Sequence, residues 1–241
     1  MNMKKILLFL AVPFIFLSSL TAQITQEQAD EIVINHMNDE TKPHTIFAKE
    51  EVQIDGFAVI TSTGEALELE YSCWIYYVNY AEETNGKYLI VKENNGNLLA
   101  VNTKNDEIFL NLQEWRVVPI EIPFENYSLA GTSCYWTNFG YGDELIVMNN
   151  HEDLENYIIC NGDYYPPINF SEYTLLRAHG MVNGNVYELT KKLLRLAPNE
   201  YELSIEVFSD DAGITGIWCV VIIVEKLSNE SNIELKVNIK F

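Results

Sequence analysis

The four cysteines are the residues with the most definite chemistry in this chain. Cys134 and Cys160 lie at the ends of short predicted elements, where a covalent bridge is easily accommodated. Cys73 and Cys219 lie inside the apolar runs YSCWIYYV and IWCVVIIV, where a thiol usually acts as a small buried hydrophobe. Four cysteines permit three pairings in an oxidising compartment. Their positions favour one disulfide, Cys134–Cys160, and two thiols.

The histidines do not form a metal-binding or catalytic motif. His36, His44, His151 and His179 are scattered, and His151 lacks the second histidine that a zinc-protease helix carries four residues later. Cys73 precedes a tryptophan, as papain-like nucleophiles do, but those cysteines open a helix and the pattern around Cys73 is β. We therefore expect no catalytic residue, no metal and no cofactor. An enzyme site assembled from carboxylates distant in the sequence stays an open alternative.

Aromatic residues are concentrated around the predicted disulfide. If exposed, such side chains bind a protein partner or stack on sugar rings. If buried, they serve core and loop packing. The candidate partner-contact residues are Tyr135, Trp136, Phe139, Tyr141, Tyr164 and Tyr165.

The first 22 residues have the layout of a secretory signal peptide. Lys4 and Lys5 precede an apolar run, Ile6–Leu20, that is too short to span a bilayer comfortably, and Ala22 is a small residue at the expected cleavage point. We therefore expect a secreted or periplasmic protein that is cleaved near Ala22 and keeps no transmembrane segment.

The chain is strongly acidic, with 35 Asp and Glu residues against 15 Lys and Arg residues and a net charge of −20. Such a surface repels nucleic-acid phosphates and anionic lipids. The composition therefore argues against nucleic acid as a partner and leaves a protein or a glycan.

Residues 23–118 predict a helix laid on an antiparallel sheet. Thr25 and Gln28 have the spacing of a capping box. The following apolar stripe, which includes His36, indicates one buried helix face. The strand pattern places a hairpin over 52–60, a long aromatic strand over 67–80 and a hairpin turn at 94–97.

Residues 119–133 contain two prolines and a glycine and predict a linker. Residues 134–241 combine a short helix capped by Asn150 with five or six alternating strands, which predicts a mostly antiparallel sandwich or open barrel. The expected fold class is therefore α+β, with two small domains at 23–118 and 134–241.

The first part resembles a known type of module. The segments ITQEQADEIVINHM, CWIYYVNY and KYLIVKENNGNLLAVNTK follow one another as in PepSY-like domains and in the inhibitory propeptides of streptopain-type cysteine proteases. This resemblance implies a module that regulates or inhibits proteases. It contains no motif from which inhibitory residues can be transferred.

The second part has a resemblance of its own. The segment INFSEYTLLRAHGMVNGNVYELTKKLLRLAPNEYELSIEVF is similar in layout to the C-terminal domain of the protease-complex subunit PrcB and to secreted proteins of Bacteroidetes. The chain departs from that layout at 182–185, where VNGN replaces a T-G-G-Y-like segment. The resemblance therefore implies a fold more than a function.

These observations predict an exported, non-enzymatic binding or regulatory protein. Protease inhibition is the most specific version. The alternative is a carbohydrate- or surface-binding accessory protein that uses exposed aromatic residues.

Overall fold

The computed structural model describes residues 23–241 apart from 55, 82, 105–111, 163 and 211, with only the backbone of Gln113. The predicted signal peptide lies outside the described residues. In the described part, no helix is long and apolar enough to cross a membrane.

Strands dominate the chain. The first part contains α1 (Gln26–Met37), β1 (His44–Ala48), β2 (Phe57–Ile60), β3 (Ala66–Leu69), β4 (Cys73–Tyr80), β5 (Asn85–Lys92), β6 (Leu98–Lys104) and a 3-10 turn (Leu112–Glu114). The middle part contains β7 (Arg116–Val117), β8 (Ile120–Glu121), β9 (Glu125–Asn126), β10 (Cys134–Trp136), β11 (Glu144–Met148), α2 (His151–Glu155) and β12 (Ile158–Cys160). The last part contains β13 (Tyr173–Asn183), β14 (Val186–Ala197), β15 (Glu200–Ser209), β16 (Thr215–Glu225) and β17 (Asn232–Lys240).

Helix α1 begins where its sequence signals place it. The Thr25 side chain accepts from the Gln28 backbone N–H, and the Gln28 side chain accepts from the Thr25 N–H, which completes the capping box. Ala29 and Val33 are fully buried against the sheet. His36, which the sequence pattern placed on the buried stripe, is exposed because it lies at the solvent-facing edge of the last turn.

The first sheet has the order β6-β5-β4-β1-β7 and is covered on both faces. Helix α1 packs on one face over Tyr76 and Leu89. The hairpin β2–β3 covers the other face, which carries Cys73 and Ile75. The long strand predicted over 67–80 is two strands, since Leu69 ends β3 and the chain turns before β4 begins. The predicted hairpin over 52–60 is replaced by β2 paired with β3.

Two four-stranded sheets form the remainder, in the orders β11-β13-β16-β9 and β17-β15-β14-β8. They pack face to face through one core that includes Leu176 and Trp218 from the first and Leu193 and Leu203 from the second. Strand β17 pairs in parallel with β15, whereas the other neighbours in these two sheets are antiparallel.

The structure corrects the predicted α+β class with two domains to a mostly β fold with two helices in its described part. Part of the evidence against separate α+β domains comes from the predicted linker, residues 119–133. Its residues 120–121 pair with β14 as β8, and residues 125–126 pair with β16 as β9. Ile120 also packs against the core below α1. The predicted domain boundaries, 23–118 and 134–241, stay predictions.

Asp30 joins the helix to the sheet and generates a stability prediction. Its carboxylate accepts from the Tyr76 hydroxyl at 2.8 Å and from the Arg116 guanidinium at 2.7 Å. Asp30→Ala leaves both donors without this partner, so we expect the free energy of unfolding to fall by about 2–3 kcal/mol. Urea denaturation followed by circular dichroism measures it.

Glu31→Ala is the matched control, because Glu31 is the next residue of the same helix and is exposed. Its effect should stay within about 0.5 kcal/mol. Equal losses for the two variants would contradict the bridging role of Asp30.

Candidate functional site

The segment from Cys134 to Cys160 forms a disulfide-bonded ribbon. Strands β10 and β12 pair antiparallel, with Cys134 opposite Cys160, Tyr135 opposite Ile159 and Trp136 opposite Ile158. Cys134 and Cys160 form the disulfide that the sequence predicts. Because side chains alternate along a strand, the cysteines, Trp136 and Ile158 face inward. Tyr135 and Ile159 face solvent side by side, with exposed fractions of 49% and 47%.

Helix α2 supports the ribbon from one end. The Asn150 side chain accepts from the Asp153 backbone N–H at 2.8 Å and so caps this short helix, as the sequence predicts. Leu154 is fully buried between the helix and the ribbon core. The inward face of the ribbon therefore rests on the same core as the outer face of the β11-β13-β16-β9 sheet, which contributes Met148 and Leu175.

A buried arginine lies beneath this ribbon. Arg177, on β13, has no exposed surface. Its guanidinium carbon lies 4.5 Å from the ring centre of Phe139 and 5.4 Å from those of Trp136 and Tyr157. Its guanidinium nitrogens have no hydrogen-bond partner among the described residues. Three aromatic faces therefore surround this cation where a carboxylate would ordinarily pair with it.

His179, two residues further along β13, positions the loop that carries Phe139. Its Nε2 accepts from the Gly140 backbone N–H at 2.9 Å, so the ring proton is on Nδ1. Burial lowers the pKa of His179, and Arg177 lowers it further, against opposing effects of Glu144 and Asp143. The ring is therefore neutral at neutral pH, and its edge packs against Phe139 at 5.3 Å between ring centres.

Strand register places Glu144, His179 and Cys219 in one row across β11, β13 and β16. A carboxylate, an imidazole and a thiol in this order are the components of a cysteine nucleophile site. The geometry does not activate the thiol, because His179 Nε2 accepts from Gly140 and Nδ1 has no partner in the described structure. Burial raises the pKa of Cys219, although the nearby Arg177 opposes this shift. The row therefore lacks a thiolate–imidazolium pair.

The six predicted contact residues occupy two different environments. Tyr141 and Tyr164 are 95% and 92% exposed, and Tyr135 and Phe139 are partly exposed. Trp136 is half-buried over Arg177 and packs edge-on against Tyr127. Tyr165 is half-buried on the ribbon core. The exposed members of the set are therefore Tyr135, Tyr141, Tyr164 and the outer edge of Phe139.

A shallow depression lies beside Phe139. It has a volume of about 490 Å³ and is lined by Asn138, Phe139, Gly140, Glu144, Asn156 and Tyr157. Phe139 and Tyr157 thus separate the buried Arg177 from this depression. Within the described residues, no group of three His, Cys, Asp or Glu side chains is placed to hold a metal ion.

Sequence reasoning missed Arg177, His179 and Glu144. The only signal was the apolar strand TLLRAHG, in which a charged residue and a histidine occupy positions of one face. That pattern shows that both face the same side, but the partners on β11 and β16 depend on strand register.

Comparison with known proteins finds no family model, curated protein or solved structure that matches this chain. The resemblances to PepSY-like and streptopain-type propeptides and to PrcB therefore stay predictions.

The disulfide generates a second stability prediction. It closes a loop with a sequence separation of 26 residues. In the loop-entropy description, Cys134→Ser with Cys160→Ser should lower the free energy of unfolding by about 3–4 kcal/mol. Urea denaturation of the variant and of the oxidised protein measures the difference. Alkylation of Cys134 in the unreduced protein, detected by mass spectrometry, would refute the bridge.

The Cys73 thiol should be less reactive than that of an exposed cysteine. Cys73 has no exposed surface, and burial raises the pKa of its thiol to about 11. At pH 8 only about one molecule in a thousand would carry the thiolate, the reactive form. A thiol-specific disulfide reagent should therefore leave Cys73 unmodified in the folded protein and modify it in 6 M guanidinium. Rapid modification of folded protein at Cys73 would contradict this.

Proposed function

We propose that this chain is an exported, non-enzymatic binding or regulatory protein whose partner contacts the outward face of the β10–β12 ribbon. The observation that carries the proposal is the pair Tyr135 and Ile159, which stand side by side and half-exposed next to the Cys134–Cys160 bridge. Tyrosine is enriched among the residues that dominate protein interfaces.

The ribbon is suited to binding because it is held in one conformation before a partner arrives. The disulfide joins its first rung, and Trp136 and Ile158 attach its inward face to the core. A preorganised surface loses little conformational entropy on association. Tyr141 and Tyr164 extend from segments that adjoin the two strands and enlarge the available aromatic surface.

Charge narrows the class of partner. The chain has a net charge of −20, and the exposed Glu152 and Glu155 of α2 lie directly before β12. A basic or neutral protein surface is therefore favoured, and nucleic acid is disfavoured by repulsion from its phosphates.

The most specific version is inhibition of a secreted cysteine protease. The kind of partner comes from the resemblance of residues 23–118 to inhibitory propeptides, whereas the proposed contact surface comes from the ribbon. Helix α1, the aromatic strand β4 and the hairpin β5–β6 are present in the order that this resemblance requires. The Cys134–Cys160 disulfide supports a secreted or periplasmic location, with cleavage of the signal near Ala22 as part of the proposal.

A second candidate is glycan binding. Tyr141 and Tyr164 are almost fully exposed, and tyrosine rings of this kind can stack on sugar rings. This version uses the exposed loops beside the ribbon more than the Tyr135–Ile159 pair.

Titration of the mature protein against a panel of secreted cysteine proteases tests the leading version. We expect stoichiometric inhibition of at least one protease at micromolar protein. Tyr135→Ala should weaken it at least tenfold, since truncation of a central interface tyrosine removes about 1.4 kcal/mol or more.

Tyr187→Ala is the matched control, because Tyr187 is 65% exposed on β14, in the other sheet. Inhibition that Tyr135→Ala leaves unchanged would place the contact elsewhere, and equal weakening by both variants would show that the loss is not specific to the ribbon. Absence of inhibition across the panel, together with a glycan-array signal that Tyr141→Ala abolishes, would replace the protease version by the glycan version.

A further inference from the structure

A second concave site lies away from the ribbon, between the segment that enters β1 and the turn that joins β14 to β15. It is a crevice of about 290 Å³ whose lining includes Glu40, Lys42, His44, Arg195, Asn199 and Tyr201. This volume is at the lower limit of small-molecule sites. The turn is held by Asn199, which adopts a positive φ of 60°. The crevice therefore combines polar groups from two distant parts of the sequence.

His44 lines this crevice and carries a buried acceptor that is not used by any described residue. The residue is only 3% exposed, and its Nδ1 lies 2.7 Å from the Lys42 carbonyl oxygen. A carbonyl oxygen can only accept, so Nδ1 carries the proton and Nε2 keeps its lone pair. Nε2 has no hydrogen-bond partner among the described residues. A buried acceptor in this state loses its hydration without replacement unless a donor reaches it.

His44 stays neutral in this environment. Burial lowers its pKa, and the Arg195 guanidinium acts in the same direction, while the Lys42 carbonyl opposes them. The lone pair on Nε2 is therefore available at neutral pH.

Arg195 supplies the opposite chemistry. No carboxylate lies within ion-pair distance of its guanidinium in the described part of the chain, and its buried Nε has no hydrogen-bond partner there. Strand register places Arg195 directly opposite Tyr201, on the same face of the β14–β15 pair.

The acidic group of the crevice is already bound. Glu40 accepts from the Tyr80 hydroxyl at 2.9 Å and from the Lys42 backbone N–H at 3.3 Å. Lys42 is paired with Glu83. Arg195 Nε and His44 Nε2 are thus the buried side-chain nitrogens of the lining that have no hydrogen-bond partner in the described structure.

We propose that this crevice binds a small carboxylate that also carries a hydroxyl or amino hydrogen. The carboxylate would pair with Arg195, whose planar guanidinium matches its geometry. The O–H or N–H group would donate to His44 Nε2. A metal cation is disfavoured by Arg195, and a phosphate dianion would meet about twice the repulsion from the Glu40 carboxylate that a singly charged carboxylate meets. The site is separate from the ribbon, so its test does not depend on the proposed partner.

Three matched probes distinguish the required groups. L-lactate has a carboxylate and a hydroxyl, L-alanine has a carboxylate and an amino group, and propionate has the carboxylate alone. D-glucuronate and D-glucose form a second pair that differs in the carboxylate. The readout is the ¹⁵N resonance of His44 Nε2 in histidine-labelled protein, which shifts when the lone pair accepts a hydrogen bond.

We expect lactate, alanine or glucuronate to shift this resonance saturably at or below about 10 mM, whereas propionate and glucose leave it unchanged. A response to lactate or glucuronate alone identifies a hydroxy acid, and a response to alanine alone identifies an amino acid. Absence of any shift, or an equal shift with propionate, would overturn the proposal.

Variants provide the second arm. Arg195→Gln should weaken the responding probe at least tenfold, and His44→Phe should remove its advantage over propionate in a calorimetric titration. Lys192→Gln, at an exposed position of the same strand, should leave binding unchanged. Thermal unfolding establishes whether each variant folds. The resonance test uses the wild-type protein and does not depend on the variants. Unaltered binding by folded Arg195→Gln would also overturn the assignment.

Discussion

The burial of the Arg177 guanidinium constrains the structure around the disulfide ribbon more than any other interaction. A cation removed from water needs compensation, and carboxylates usually provide it. Here the rings of Trp136, Phe139 and Tyr157 provide it, all within 5.4 Å of the guanidinium carbon. Those rings must therefore face inward. The same requirement brings the 137–143 loop down onto β13, where Gly140 donates to His179.

This constraint decides which aromatic residues remain for binding. Because β10 alternates, a Trp136 that faces Arg177 forces Tyr135 to face solvent, opposite Ile159 on β12. The disulfide holds the neighbouring rung at its required separation. A buried cation and an exposed aromatic pair are thus consequences of one strand orientation. The proposed partner surface is the outer side of the structure that shields Arg177.

Local signals predicted the parts of the fold that local energetics determine. The capping box of α1 and the Asn150 cap of α2 were predictable because each involves residues three positions apart. The turn between β5 and β6 was predictable because it contains a glycine, the residue that most readily adopts a positive φ. Gly96 has a φ of 71°. The disulfide followed from two cysteines at the ends of short elements.

Long-range pairing was not predictable in this way. The Glu144–His179–Cys219 row requires the register of β11, β13 and β16, which no local pattern specifies. The parallel pairing of β17 with β15 was not predictable for the same reason, since the alternation of apolar residues defines the two faces of a strand but not the strand that pairs with it. The pairings of β8 and β9 within the predicted linker were not predictable either, because prolines suit both loops and short edge strands.

The two buried histidines His44 and His179 each leave one ring nitrogen without a hydrogen-bond partner in the described part of the chain, but one nitrogen is an acceptor and the other a donor. His179 accepts from a backbone N–H, so its unused group is the Nδ1–H donor. His44 donates to a backbone carbonyl, so its unused group is the Nε2 acceptor. His179 packs against Phe139 and holds the Gly140 backbone N–H. His44 lines a crevice together with Arg195, and the proposed ligand would supply both groups with partners. The tautomer and the adjacent arginine therefore support the proposed ligand site at His44, whereas the bond from Gly140 gives His179 a structural role.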